Sequence, residues 1–197
     1  MTTSTLPTAT TVDDPMTPVG ARLVATASRL FYDHGIRAVG VERIAEDAET
    51  TKKTLYDRFG SKDALVVLYL RGRAARWQST ALDRLAAHPE PGRDRVLVVY
   101  DALEGWLGEQ PRGCAFVNAY AEVGGTDHPA MPVIRGEKTW MRELFTALCD
   151  EAGYDDSDRL GAQLHLLYEG AVVALTAGDE PDALEHARAA AGRLLAG

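Results

Sequence analysis

Residues 35–63, GIRAVGVERIAEDAETTKKTLYDRFGSKD, constrain the chain more than any other stretch, because they read as two short helices joined by a tight turn. The first helix starts after Gly40, a tolerated N-cap, and carries Val41, Ile44, Ala45 and Ala48 at spacings of three and four, which makes one buried stripe. Glu49 and Thr50 form the turn, and Thr50 or Thr51 caps the second helix. Leu55 and Phe59, four apart, face the core, which turns Lys53 and Asp57 outward and leaves Thr54 and Tyr56 on the flanks. A helix of this kind offers free N–H groups and a positive dipole end to phosphate, two lysines, and hydroxyls that can reach backbone oxygens or base edges. It has the chemistry of a recognition helix in a DNA groove.

The run Val41-x-x-Ile44-Ala45, followed by Thr51-Lys52-Lys53-Thr54-Leu55-Tyr56-x-x-Phe59-x-Ser61-Lys62-Asp63-x-Leu65, resembles the DNA-binding domain of TetR-type (TetR/AcrR) transcriptional regulators. One position departs from the pattern. Such turns usually carry Gly where this chain has Glu49, and a left-handed backbone there costs a side-chain-bearing residue about 1 kcal/mol. The resemblance implies an all-α fold of about nine helices. It divides the chain into a disordered arm (1–16), a three-helix helix-turn-helix domain (17–63) and a larger helical effector-binding and dimerisation domain (64–197). Lys52, Lys53, Thr54 and Tyr56 are expected at the groove, with Thr51 and Lys62 on phosphate. Tyr56 has a second reading, as a core aromatic with a wet hydroxyl. Asp57 is either a solvated carboxylate or an acceptor for a cytosine amino group.

A net charge of -8 looks wrong for a DNA binder until it is apportioned. Residues 17–72 hold nine Lys/Arg and seven Asp/Glu, about +2, so the remainder carries about -10. This suits a small binding domain attached to an acidic body, with affinity set by where the lysines sit and by dimerisation more than by bulk charge. Hydrophobic residues make up 46% of the chain, ample for a core. No apolar run approaches the roughly 18 residues needed to span a bilayer, and no basic region precedes an apolar one at the N-terminus, so a cytoplasmic protein without a membrane partner is expected. The two cysteines, Cys114 and Cys149, are too few for a disulfide framework or metal cluster. Cys114 could sense oxidants, but no Lys, Arg or His flanks both cysteines in a way that would activate a thiol, and buried inert thiols are expected.

Residues 1–16 are rich in Thr and Pro with little to bury, and no Lys or Arg suits them to a minor groove. Thr17-Pro18 opens helix 1, whose stripe is Leu23, Val24, Ala27, Leu30 and Phe31, and His34-Gly35 ends it. Ser61 caps a fourth helix running to about Ala87, roughly 25 residues and on the order of 38 Å, which links the DNA domain to the body. After the breaker His88-Pro89-Glu90-Pro91-Gly92, a fifth helix shows Val96, Val99, Tyr100, Leu103, Trp106 and Leu107 on one face, until Pro111 and Gly113 interrupt. The segment CAFVNAYAEV (114–123) is apolar almost all round and reads as an internal helix. Arg112-Gly113-Cys114-x-Phe116-x-Asn118, with His128-Pro129 downstream, resembles the ligand-binding half of some TetR-type members.

Pro129 and Pro132 open helix 7, with Ile134, Met141, Leu144, Phe145 and Leu148. Helix 8, from about Ser157, has a main stripe of Leu160, Leu164, Leu167, Tyr168, Ala171 and Leu175. Its second apolar face, Ala162, Leu166, Gly170, Val173 and Ala177, needs a second partner. An alanine-rich last helix, Pro181 to about Ala196, allows close approach, so these two terminal helices are expected to form a four-helix homodimer interface. The internal helices supply Trp106, Phe116, Asn118, Tyr120, Met141, His165, Tyr168 and Glu169 as candidates for a small-molecule effector pocket. Asn118 is the sharpest, an amide that must find hydrogen bonds, and His165 and Glu169 can pair four residues apart.

The expected function is therefore a sequence-specific, ligand-responsive repressor binding a palindromic double-stranded operator as a homodimer, with no cofactor. The rival is a helical small-molecule-binding protein whose DNA-binding domain is weak or vestigial. An enzyme is not expected, because no phosphate-binding Gly-rich loop, metal-ligand cluster or nucleophile signature occurs.

Overall fold

In the computed structural model, residues 5–11, 16–108 and 112–196 are described, and among them the chain forms nine α-helices and no strand. These are α1 (Pro18–His34), α2 (Val41–Asp47), α3 (Lys52–Phe59), α4 (Lys62–Ala86), α5 (Arg93–Leu107), α6 (Ala115–Val123), α7 (Met131–Glu151), α8 (Ser157–Ala177) and α9 (Ala183–Leu194). Pro111, expected to interrupt the chain after α5, lies outside the described residues.

The helices fall into two units, and their division differs from the boundary expected at residue 63. One unit takes Thr10–Arg76 and also Ala115–Glu137, while the other takes residues 5–9, Trp77–Cys114 and Lys138–Gly197. Helices α4 and α7 each contribute to both units, and α6, assigned to the body by sequence, belongs with the helix-turn-helix. Periodicity shows which face of a helix is apolar but not which neighbour covers it.

In the helix-turn-helix unit, α1, α2 and α3 pack on one another. Leu23, Ala27 and Leu30 of α1, Ile44 of α2 and Leu55 of α3 are fully buried. Burial of a leucine such as Leu55 contributes roughly 1.5–3 kcal/mol. Phe59 is half-buried beside Gly20 of α1, where an added Cβ would sit 3.8 Å from its ring. The helix starts are closed by hydroxyls that accept orphan amides: Thr17 Oγ1 from Gly20, Thr51 Oγ1 from Thr54 and Ser61 Oγ from Ala64. Each such cap is worth about 1 kcal/mol.

The α2–α3 turn is a Schellman motif. Thr50 N–H donates to Ala45 C=O and Glu49 N–H to Glu46 C=O, with Glu49 in the left-handed region at φ 52°. Helix α7 ends in the same way, with Tyr154 N–H on Cys149 C=O and Gly153 N–H on Asp150 C=O, but there the left-handed residue is Gly153, φ 80°. Glu49 thus occupies a glycine position, and the pair of backbone hydrogen bonds holds it there.

Helix α6 is not internal. It buries Ala115, Phe116, Ala119 and Val123 but leaves Val117 and Tyr120 exposed, the latter by 55%. Its nine residues cover one side only, so the apolar residues opposite face out in the single chain.

The second unit is built on a continuous core from Trp77 through α5, α7, α8 and α9 to Leu195. Helix α8 packs on α9, and α9 on α5. Gly161 of α8 lets α7 come close, since a Cβ there would lie 2.7 Å from the backbone of Thr146. Tyr100, almost fully buried, donates its hydroxyl proton to Leu164 C=O at 2.7 Å, and burial pushes its ionisation well above the ordinary tyrosine range. By length and composition α8 is apolar enough to cross a membrane, contrary to expectation. Its inner stripe, Leu164, Tyr168, Ala171 and Val172, is buried in this unit, and its hydropathy is raised by a second face on which Leu166 is 72% and Val173 48% exposed.

The arm expected to be disordered is, over residues 5–11, laid against this core in its first part. Leu6 packs on the cluster and Thr8 C=O accepts the indole N–H of Trp140 at 2.9 Å. One leucine and one satisfied indole suffice to seat a segment whose composition promised neither; residues 1–4 and 12–15 lie outside the described residues.

Candidate nucleic-acid interface

Helix α3 presents its outward side as the sequence implied. Leu55 anchors it, and the opposite side carries Lys53, whose side chain is 84% exposed, with Lys52, Asp57 and Tyr56 exposed beside it. Tyr56 is 42% exposed, which removes its reading as a core aromatic. Thr51 Oγ1 accepts Thr54 N–H at 3.1 Å and shares a second hydrogen bond with Thr54 Oγ1 at 2.9 Å. That arrangement fixes both hydroxyls at the N-terminal end of α3, where the helix dipole favours an anion. Lys52 lies 6.0 Å from the Tyr56 ring centre and donates to Glu42 of α2. The hydrogen bond from Lys52 holds the Glu42 carboxyl below its ordinary range, and the same bond raises Lys52. Lys53 donates to Asp57 at 2.6 Å.

Lys62 stands apart from the other expected contacts. Its ammonium lies 5.9 Å from the Phe31 ring centre, and burial lowers its ionisation despite the carboxylates of Asp63 and Glu122. It lines a hollow of about 260 Å³ with Ile36, Arg37, Asp63, Glu122 and His128. Within it, the Glu122 carboxylate of α6 accepts two backbone amides of the α1–α2 connection, Ile36 N–H at 2.8 Å and Arg37 N–H at 2.6 Å. His128 Nδ1 accepts Ala130 N–H, and its Nε2 faces Asp63 Oδ1 at 3.3 Å. Sequence reasoning missed Glu122 altogether. A glutamate near the end of an apolar run carries no local sign that its partners lie 85 residues back.

The eight effector candidates do not gather in one unit. Phe116, Asn118 and Tyr120 belong to the helix-turn-helix unit, and Trp106, Met141, His165, Tyr168 and Glu169 to the other. In the latter, Trp77 lies 5.6 Å from Trp106 and 6.2 Å from Tyr168 between ring centres, and its indole N–H points to Met141 Sδ at 3.1 Å. His165 Nε2 meets Glu169 Oε1 at 3.3 Å as expected, but Glu169 also takes Lys138 Nζ on both oxygens at 2.8 Å. Burial pushes the Glu169 carboxyl up, yet the His165 hydrogen bond and the Lys138 charge outweigh it, and the net shift is downward. Lys138 reaches Cys114 Sγ as well, at 3.3 Å, so a lysine does flank that thiol. It went unseen because it is 24 residues away in sequence. Cys149 is fully buried and its thiol is pushed up to about 12 by that burial.

Comparison with known proteins decides what this arrangement belongs to. Residues 23–68 match the family model described as bacterial regulatory proteins, tetR family. The crystal structure of SCO4454, a TetR-family transcriptional regulator from Streptomyces coelicolor, superposes with a TM-score of 0.83 at 30% identity, covering 92% of this chain and 91% of that one. The chain belongs to the TetR family of transcriptional regulators. A TetR-type regulator (sav143) from Streptomyces avermitilis gives a TM-score of 0.76 at 28% identity over 89% of this chain and 98% of its own. The HTH-type transcriptional regulator Rv1255c of Mycobacterium tuberculosis is 26% identical over 159 residues, 70% of this chain and 77% of that protein. The protein is accordingly a DNA-binding transcriptional regulator, and TetR-family regulators are in general not enzymes.

Proposed function

We propose that this TetR-family protein is a ligand-responsive repressor that binds a palindromic operator as a homodimer. The observation that carries the proposal is the outward side of α3, where Lys52, Lys53 and Tyr56 are exposed at a helix anchored from behind by Leu55. In this reading α3 enters the major groove, Lys52, Lys53, Thr54 and Tyr56 meet base edges or flanking phosphates, and Thr51 and Lys62 hold phosphate. The surplus apolar face of α8, with Leu166 and Val173, supports pairing of two chains through α8 and α9. Two α3 helices related by a two-fold axis then read half-sites about one helical turn, roughly 34 Å, or a multiple of it apart.

The effector site is drawn from the candidates of the C-terminal unit. Trp106 and Tyr168 give apolar surface for a flat ligand, and His165, Glu169 and Lys138 give it polar ends. A ligand there acts by binding one spacing of the two α3 helices better than another, so that DNA affinity falls by at most the ligand's own preference, and DNA lowers the ligand's affinity by the same factor. The rival, a binding protein with a vestigial DNA domain, leaned on Glu49 and on the weak net positive charge of residues 17–72, about +2. The turn accommodates Glu49 with both of its hydrogen bonds intact, which answers the backbone objection and leaves the weak net charge as the rival's remaining support.

Selection of duplexes from a random pool tests the proposal. Wild type is expected to enrich a palindrome that Lys53→Ala and Tyr56→Ala no longer enrich. Recovery of the same sequences by all three proteins would show that α3 is not the reading helix.

A further inference from the structure

The outward side of α3 carries its two lysines with a carboxylate in reach of each. Lys53 Nζ lies 2.6 Å from Asp57, one turn along the same helix, and Lys52 is held by Glu42 from α2. All four side chains are at least half exposed. Folding does not ask for Asp57, whereas Glu42 also suits the first turn of α2, where the helix dipole favours a carboxylate. Exposed ion pairs add little to stability, and Asp57 stands in the last turn of α3, where the helix dipole disfavours a negative charge. Near a polyanion both acids carry a cost. Residues 17–72 have a net charge of only about +2, so the negative charges of Glu42 and Asp57 are not swamped by the rest of that stretch.

We infer that Glu42 and Asp57 are specificity-determining residues: they occupy Lys52 and Lys53 in the free protein and repel phosphate on random DNA. At the operator the displaced carboxylates accept from cytosine amino groups that random sequence does not present in register, so the cost of releasing the lysines is recovered there alone. The inference rests on α3 being the groove helix, as proposed above. Its physical effect is on non-specific binding, which is almost wholly a matter of lysines and arginines displacing counterions. A regulator finds its operator among millions of competing sites by the ratio of specific to non-specific affinity, not by its affinity alone. Two carboxylates beside two lysines lower the non-specific term most, because random DNA returns no base contacts in exchange.

The test measures binding to the selected operator and to a random duplex across a salt series, for wild type, Glu42→Gln, Asp57→Asn and Asp57→Asn with Lys53→Ala. Glu90→Gln, an exposed acid in the loop before α5, removes the same charge from the other unit. Each carboxamide variant is expected to bind random duplex about three- to tenfold more tightly, with a salt slope steeper by about 0.9 for every additional phosphate that a freed lysine neutralises. Operator affinity rises less, so the ratio falls. Lys53→Ala removes the part of the Asp57→Asn effect that the freed lysine carries, including the steeper salt slope, and Glu90→Gln has no effect. Random-duplex affinity at the wild-type level, or an equal rise from Glu90→Gln, overturns the inference even where wild type selects a palindrome through Lys53. A wild type without sequence preference, unaffected by Lys53→Ala, overturns the reading of α3 and this inference with it.

Discussion

Glu49 shows how a single backbone position is tolerated when its surroundings determine it. At φ 52° it sits where Gly153 sits in the matching turn after α7, and a Cβ in that region costs about 1 kcal/mol. Glu49→Gly is therefore expected to raise stability by roughly 0.5–1 kcal/mol, partly offset by the looser unfolded chain, and Glu49→Val to lower it, both read from urea midpoints. The two thiols differ as sharply. Cys149 is fully buried with its thiol pushed up to about 12, whereas Cys114 is partly exposed beside Lys138. A thiol reagent at pH 8 should modify one cysteine per native chain and reach the second only on unfolding. Cys114→Ser should remove the native reaction entirely.

Among the elements, α6 and α8 carry the ties that hold distant segments together. Glu122 of α6 accepts the amides of Ile36 and Arg37 just after Gly35, whose φ of 90° and lack of Cβ let the carboxylate approach. Glu122→Ala leaves two amides to water in a half-buried place, and a loss of about 1–2 kcal/mol is expected in chemical denaturation, with Glu122→Gln between the two. Glu169 of α8 gives a pH dependence with a definite sign. Its folded carboxyl titrates below the ordinary range, so the stability it supplies is present above about pH 4.3 and is lost as pH falls through the lower folded value. Glu169→Gln should cost about 1–2 kcal/mol at pH 7, since Lys138 loses a charged partner, and the difference from wild type should shrink as pH falls through the lowered folded value.

For the whole molecule, the decisive surface is the outer face of α8. Leu166 at 72% and Val173 at 48% exposure are the largest apolar liabilities on that helix, and a second copy of the chain is the proposed cover. Leu166→Glu is expected to give a monomer by sedimentation, folded by circular dichroism, whose operator affinity falls at least a hundredfold, on the order of 3 kcal/mol, because half-sites are then read singly. A variant that stays dimeric places the interface elsewhere.

What the sequence determined by itself was everything governed by neighbours a few residues away. The caps Thr17, Thr51 and Ser61, the left-handed turn at Glu49, the anchor Leu55 and the outward Lys53 follow from spacing and local hydrogen bonding, and these are the parts that make α3 presentable to DNA. Only the tertiary structure decided which helix meets which. That α6 packs with the helix-turn-helix, that Glu122 finds amides 85 and 86 residues away, that Lys138 reaches both Cys114 and Glu169, and that Leu6 and Thr8 seat a polar arm depended on contacts for which the local pattern carries no mark. The reason is physical: an apolar stripe or a carboxylate states that a partner is required, and the choice of partner is made by the packing of the whole chain.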